Sequence, residues 1–168
     1  EAVDFGNLIT AATDRVAVCN STRTVIGGGE TGSGKINNIE YVQTATLGNG
    51  ADFGDLTVTR RGCGGACNST RGIWMGGDNP GDTNHIDYIE FATLGNAIDF
   101  GDLYSSCGRH QGHVSSPTRG IAGGGFPNSN VIQYIEIMSK GNSVDFGDLT
   151  RNASDENAGT SNGHGGLG

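Results

Sequence analysis

The sequence predicts an all-β protein made of antiparallel β repeats of about 47 residues, of which the chain holds about three and a half. Three observations predict this class. The composition is rich in glycine and poor in apolar residues, one pentapeptide recurs at an even spacing, and short segments alternate apolar with polar residues. Together these features place short strands between glycine turns along the whole chain.

The composition excludes several classes of protein. The 168 residues include 31 Gly but only 3 Pro, with 34% hydrophobic residues and a formal net charge of −8. The glycines have no three-residue period, which excludes collagen, and they would break a coiled coil. Ten basic residues against eighteen acidic ones argue against a nucleic-acid partner or an anionic membrane surface. No apolar run is long enough to predict a membrane span.

The recurring pentapeptide is Asp-Phe-Gly-(Asp/Asn)-Leu. It begins at Asp4, Asp52, Asp99 and Asp145, so the spacings are 48, 47 and 46 residues. The strings ATLGNGADFGDL and ATLGNAIDFGDL agree at ten of twelve positions, which chance does not produce. The sequence therefore predicts one repeat domain over residues 1–168, with repeats at about 4–51, 52–98 and 99–144 and a partial repeat at 145–168.

Two further sequence features recur with the same period as the pentapeptide. An arginine after a threonine begins a short apolar segment that ends in glycines, at Arg23, Arg71 and Arg119. An alternating segment follows after a variable turn, reading IEYVQT, IDYIEF and IQYIEI, with equivalent tyrosines at Tyr41, Tyr88 and Tyr134. Period-2 alternation predicts strands, and the Gly-Asn pairs after them predict turns because both residues tolerate positive φ. Each repeat is thus expected to hold three or four strands.

The pentapeptide is predicted to end a strand. Its phenylalanine would fill the interface between sheets, its glycine would permit a bend, and its aspartate would cap backbone N–H groups. These phenylalanines are Phe5, Phe53, Phe100 and Phe146. A weaker alternative is Ca²⁺ binding by carboxylates of adjacent copies, at Asp52, Asp55, Asp99 and Asp102, although no spacing resembles an EF-hand. Four even copies also exclude the single Asp-Phe-Gly of a kinase.

No catalytic residue, metal site or cofactor site is predicted. Residues 29–36 read GETGSGKI, which resembles a phosphate-binding P-loop. However, Ile36 stands where Ser or Thr should reach Mg²⁺, and a strand follows instead of a helix, so this segment is predicted to be a turn. The four histidines have no metal-ligand spacing; they are His85, His110, His113 and His164.

The four cysteines leave the redox compartment open. Cys19 and Cys67 occupy equivalent repeat positions, whereas Cys63 and Cys67 flank three small residues within one possible hairpin. A Cys63–Cys67 disulfide is therefore possible, and it would imply oxidising surroundings, but four cysteines allow three full pairings. Free thiols would suit a cytosolic assembly site. The Asn-x-Ser/Thr sequences at Asn20, Asn68 and Asn152 fit a glycosylation pattern, but the first two are the repeat's turn before the arginine, and we favour that interpretation.

The glycine runs, followed after a turn by a Tyr-bearing strand, resemble the kelch repeat of β-propellers, except that Trp74 precedes the glycines. A closer resemblance is to tandem repeats in large structural proteins of cyanophages and related tailed phages, which read approximately TRGIxGGG, IxYIxI and TxGNAxDFGDL. Residues 118–125, 132–137 and 141–149 carry these motifs here. The resemblance implies propeller-type blades, a virion or extracellular location and no enzymatic activity.

The predicted function is a non-enzymatic structural protein, similar to a phage tail fibre or a filament-forming repeat protein. Both ends fall within a repeat, which would leave sheets unfinished and backbone groups unpaired. The array is expected either to continue in a longer chain or to be completed by strand addition from another copy, giving a ring or fibre. The predicted partners are copies of itself and, through its variable turns, a host-surface glycan or protein.

The alternative function is a carbohydrate-binding or carbohydrate-active β-propeller enzyme. Such an enzyme would gather acidic residues from successive blades in a central pocket, and it would break its own repeat at those positions. The irregularities of this sequence are loop lengths and cysteines instead. The structural function is therefore preferred.

Overall fold

The computed structural model describes residues 1–109, 111–153 and 159. It confirms the all-β prediction, since these residues form fourteen strands and no helix, and none of the sheets closes into a barrel. Most of the predicted fourth copy, at 154–158 and 160–168, lies outside the described residues. His110 and His164 also lie outside them.

The first four-stranded sheet, sheet I, contains β1 (Val16–Cys19), β2 (Arg23–Gly27), β5 (Asn38–Gln43) and β6 (Ala51–Asp55). Between β2 and β5 the chain makes a small hairpin of β3 (Glu30–Thr31) and β4 (Gly34–Lys35). This hairpin contains the P-loop-like sequence, so its interpretation as a turn is confirmed.

Two more sheets follow along the chain. Sheet II contains β7 (Gly64–Cys67), β8 (Arg71–Met75), β9 (Thr83–Glu90) and β10 (Ile98–Cys107). Sheet III contains β11 (Gly112–Ser115), β12 (Arg119–Gly123), β13 (Ser129–Glu136) and β14 (Val144–Ala153). In each of the three sheets the strands are antiparallel and neighbour one another in chain order.

The Asp-Phe-Gly segments lie in the last strand of each sheet. Each phenylalanine there is the extra residue of a β-bulge, because the residues on either side of it pair with consecutive residues of the preceding strand. These phenylalanines are Phe53, Phe100 and Phe146. A bulged residue is free of the ladder and bends its strand. The predicted bend is therefore confirmed, and the phenylalanine can turn towards the neighbouring sheet. The prediction that the pentapeptide ends a strand was wrong for β10 and β14, because both strands continue past it.

The core lies between successive sheets. One cluster of buried side chains draws on sheets I and II and includes Val25, Ile39, Phe53 and Trp74. A second cluster draws on sheets II and III and includes Ile73, Phe100 and Ile135. Because sheet II contributes to both clusters, its inner strand β9 is buried on both faces: residues 86–89 are all less than 10% exposed.

Small residues bring the sheets close together at their first strands. A Cβ placed on Gly65 of β7 would lie 2.9 Å from a methyl group of Val16 in β1. A Cβ on Gly27 would lie 3.0 Å from the indole of Trp74, whose Nε1 donates to the Val16 carbonyl at 3.1 Å. Glycine at these positions allows the backbone to approach the next sheet.

Candidate functional site

The most regular feature of the molecule is the junction between one sheet and the next. At the junction of sheets I and II, the Gly95 N–H donates to the Phe53 carbonyl and the Ala97 N–H donates to the Asp55 carbonyl, both at 2.8 Å. The same two bonds join sheets II and III, at 2.9 and 2.8 Å, between residues 141–143 and 100–102. They also join residues 5–7 to the turn at 48–50 of sheet I, at 2.8 Å each.

The asparagine of each Gly-Asn turn completes the junction with its side chain. Oδ1 of Asn49, Asn96 and Asn142 accepts from the N–H of Asn7, Asp55 and Asp102, at 3.0, 3.1 and 3.0 Å respectively. Of the two turn residues, only the glycine has positive φ. The asparagine is instead a side-chain acceptor for the previous sheet.

The glycine of Asp-Phe-Gly has a role that sequence reasoning missed. A Cβ on Gly54 would lie 2.4 Å from the Gly95 carbonyl oxygen, and a Cβ on Gly101 would lie 2.5 Å from that of Gly141. Both distances are far shorter than any real contact, so only glycine permits the junction hydrogen bonds. The predicted capping by aspartate is confirmed at Asp4 and Asp145, whose Oδ1 atoms accept from the N–H of Gly6 and Gly147 at 3.1 and 3.0 Å. It was wrong for Asp52 and Asp99, which, among the described residues, make no such bond to Gly54 and Gly101.

The arginine, tyrosine and phenylalanine that the sequence singled out form one triad in each sheet. The tyrosine and phenylalanine rings meet edge to face, with centroids 5.8–5.9 Å apart. The guanidinium lies over the tyrosine ring at 5.0, 4.7 and 4.6 Å in sheets I, II and III. Both arrangements are favourable for aromatic rings. The triads are Arg23–Tyr41–Phe53, Arg71–Tyr88–Phe100 and Arg119–Tyr134–Phe146.

The arginines of sheets I and II also reach the following sheet. The Arg71 guanidinium donates to the carbonyl of Ile137 at 3.1 Å, and that of Arg23 donates to the carbonyl of Phe91. Arg71 pairs with Glu90 at 2.7 Å, across the ladder between β8 and β9. The triads of sheets I and II therefore belong to a junction as well as to their own sheets.

A buried polar side chain stands before each tyrosine, and the sequence did not identify its role. These residues are Glu40, Asp87 and Gln133, all 2% exposed or less. They accept from the backbone N–H of Ile9 (2.8 Å), Thr57 (3.2 Å) and Ser105 (3.2 Å), which follow the preceding Asp-Phe-Gly segments. A polar residue in the middle of an apolar strand was the signal that could have found them.

Two of these residues hold a buried arginine. Arg60 is 0% exposed and donates to Asp87 at 2.8 Å, and its Nη atoms also reach three backbone carbonyls. Arg15 donates to Glu40 at 2.9 Å. Burial opposes the charge on Glu40, but hydrogen bonds from Arg15 and the Ile9 N–H outweigh it and hold the pKa of Glu40 below its usual value.

The structure shows the surroundings of the four cysteines and the role of two of the Asn-x-Ser/Thr sequences. All four cysteines are free thiols. The Cys67 thiol lies beside that of Cys19, and burial together with this neighbour raises the pKa of Cys19. Cys63 is buried. Asn20 and Asn68 each use Oδ1 to accept two backbone N–H groups of the following turn. The interpretation of these two sequons as turns is confirmed.

The described residues contain no group of three or more His, Cys, Asp or Glu side chains that could hold a metal ion. Asp52, Asp55, Asp99 and Asp102, the residues of the Ca²⁺ alternative, are therefore not brought together as such a group. In the same part of the chain, no helix has the length and apolarity to cross a bilayer. No protein-family model matches this sequence, and no curated protein matches it.

His113 predicts a pH dependence of stability. Burial against Gly64 lowers the pKa of His113 to about 4 from an ordinary 6.5, so the unfolded chain binds a proton before the folded chain does. Stability is therefore expected to fall by at most about 3 kcal/mol as pH decreases from 6.5 to 4. Urea unfolding across that range would measure the loss. His113→Gln should reduce the slope to the part that carboxylates with lowered pKa, such as Glu40, contribute, and an unchanged slope in that variant would contradict the assignment.

Proposed function

We propose that this chain is a non-enzymatic structural protein that assembles by repeating its internal junction between copies. The three meandering sheets are taken as kelch-like, propeller-type blades, and the setting as a virion or an extracellular assembly. The observation that supports this is the last strand, β14. It has the same Asp-Phe-Gly-Asp edge as β6 and β10, yet Phe146 is 55% exposed, whereas Phe53 and Phe100 are 3% and 2% exposed.

The edge of β14 has the parts of a junction already in place. Its triad has the same ring geometry as the other two, with Tyr134 and Phe146 centroids 5.8 Å apart. Among the described residues, no junction hydrogen bond reaches the carbonyls of Phe146 or Asp148. A Cβ on Gly147 would meet nothing within 4 Å, whereas one on Gly101 would strike the next turn. The surface is therefore preformed and, within this part of the chain, uncovered.

The proposed binding partner of the β14 edge is the turn at residues 47–50 of a second copy. In one molecule this turn is bound to residues 4–7, which are themselves an Asp-Phe-Gly-Asn segment. Phe5 of that segment is 39% accessible, and Val3 and Leu8 on either side of the segment are 75% and 41% accessible, so little apolar burial holds it. β14 of a neighbouring copy would replace residues 4–7 with an equivalent Asp-Phe-Gly-Asp segment. It would also add contacts from the rest of the sheet to which β14 belongs. A fixed rotation between copies then gives a closed ring or a continuing filament.

The test is a change at Gly147. Gly147→Ala adds a methyl group where the Gly48 carbonyl of a second copy would lie, 2.4–2.5 Å away as at the internal junctions. We expect association to weaken about tenfold or more, because a tenfold change needs only about 1.4 kcal/mol and two hydrogen bonds of about 1 kcal/mol each are displaced. Sedimentation velocity over a range of concentrations would measure this.

The matched control is Gly81→Ala. Gly81 has a similar φ, +151° against +141° at Gly147, and a Cβ there also meets nothing within 4 Å. Both variants therefore carry the same kind of backbone strain, but only one lies on the β14 edge. A wild-type protein that stays monomeric at high concentration, or equal association of Gly147→Ala and the wild type, would contradict the proposal.

A further inference from the structure

A cleft with a mixed polar and apolar lining, which includes Phe91 and Ala92, lies where sheets I and II meet, beside the first triad. It has a volume of about 290 Å³. Its lining includes hydroxyl, amide and guanidinium groups, contributed by Asn20, Thr22, Arg23, Gln43, Ser69 and Thr70. The cleft is thus rich in hydrogen-bonding groups, and Arg23 is the only charged residue among those that line it.

The arginine of this cleft differs from its two counterparts in one contact. Arg71 and Arg119 each donate from Nε to a glutamate directly across the ladder, Glu90 at 2.7 Å and Glu136 at 2.6 Å. Arg23 has the same position over its tyrosine and the same kind of bond to the following sheet. Across its ladder, however, the partner is Gln43.

Arg23 therefore holds a charge that its own sheet does not neutralise. Among the described residues no carboxylate lies within 4 Å of the Arg23 guanidinium, whereas both counterparts have one. The guanidinium is held in place by the Tyr41 ring, 5.0 Å away, and by the Phe91 carbonyl. A positioned guanidinium with a vacant Nε edge is a good donor to a carboxylate, because little side-chain freedom is lost on binding.

We propose that this cleft binds the carboxylate of an acidic sugar, such as a uronic or sialic acid. The ligand carboxylate would occupy the position at Arg23 that Glu90 occupies at Arg71. The hydroxyl and amide groups of Thr22, Ser69 and Gln43 favour a sugar over a plain carboxylic acid, because they offer partners for its hydroxyl groups. The site lies within one copy of the chain, so it does not depend on the proposed assembly.

The test uses sodium glucuronate as the probe, with glucose as the neutral sugar and sodium chloride at matched ionic strength. Two-dimensional amide NMR of the full chain would follow the titration. We expect glucuronate, and not glucose, to shift the amides of residues 20–23 and 69–70 in a saturable manner. Equal shifts with the two sugars, or none in these segments, would overturn the proposal.

The decisive variant is Gln43→Glu. It supplies the missing carboxylate from the protein itself, in the arrangement that Arg71 and Glu90 already show, so it should block the site and leave the fold intact. We expect glucuronate affinity to fall about tenfold or more, which corresponds to the loss of one charge-assisted hydrogen bond. Its amide spectrum away from the cleft checks the fold.

Ser33→Glu is the control for charge. Ser33 is exposed at the tip of the β3–β4 hairpin and does not line the cleft, so the variant adds the same negative charge elsewhere. It should keep the wild-type affinity. Unchanged glucuronate affinity in Gln43→Glu, or equal losses in both variants, would refute direct recognition by Arg23. Sedimentation of the same samples shows separately whether assembly is affected.

Discussion

Replacement of Asp87 by alanine is expected to lower the free energy of unfolding by about 3–5 kcal/mol. The variant leaves the Arg60 guanidinium buried, with 0% of its side chain exposed and without its carboxylate. Among the described residues, Nε of Arg60 has no hydrogen-bond partner, and the carbonyls that its Nη atoms contact carry no charge to replace that of the lost carboxylate. Thr57 would lose the acceptor of its hydroxyl, now 2.6 Å from Oδ1 of Asp87. Urea unfolding at neutral pH would measure the change.

Two further variants serve as controls for the Asp87→Ala prediction. Glu136→Ala removes an exposed pair, with side chains 46% and 44% accessible at Arg119 and Glu136, and should cost less than about 1 kcal/mol. Removing both buried charges, as in Arg60→Met with Asp87→Leu, should be milder than Asp87→Ala alone, because no unpaired charge remains. If Asp87→Ala cost no more than Glu136→Ala, the buried pair would not contribute as argued.

Gly101→Ala is expected to lower the free energy of unfolding by about 3 kcal/mol or more. The new methyl carbon would lie 2.5 Å from the Gly141 carbonyl oxygen, so the two junction bonds from Gly141 and Ser143 must lengthen or break. Each contributes about 1 kcal/mol, and alanine at φ +147° adds about 1–3 kcal/mol of backbone strain. The junction of sheets II and III would be weakened directly.

Gly147→Ala separates these two contributions within the same protein. It has the same strand position and a similar φ of +141°, but a Cβ there meets nothing within 4 Å. At a concentration where the chain is monomeric, it should cost only the strain. The expected difference between the variants is about 2 kcal/mol, by chemical denaturation of both. Equal losses would mean that close approach at Gly101 does not matter.

The regular elements of this fold follow from local sequence. Short strands were predicted from period-2 alternation, and β5, β9 and β13 form at those segments. The P-loop-like sequence was assigned to a turn because Ile36 replaces the hydroxyl and a strand follows, and the hairpin of β3 and β4 lies there. Asn20 and Asn68 were assigned to turns, which their side chains stabilise. Each of these features depends on neighbours within a few residues.

The alternation did not predict which side chains are buried. Ile86, Asp87, Tyr88 and Ile89 are all buried, because sheet II has a neighbour on each face. A period-2 pattern describes a strand with one face in solvent, so it does not indicate that an aspartate there is buried. Its partner Arg60 lies 27 residues away, and no local pattern indicated that the two would meet.

By itself, then, the sequence determined the all-β class, the positions of the turns and the residues of the triads, because strand periodicity and turn chemistry act over a few residues. Only the tertiary structure decided what the triads and glycines do. The Gly54 and Gly101 backbones lie against the Gly-Asn turn of the next sheet, and Arg23 lacks the glutamate that neutralises Arg71. Both facts depend on contacts about 40 residues or more apart, or across a ladder, which become visible only when the strands are in register.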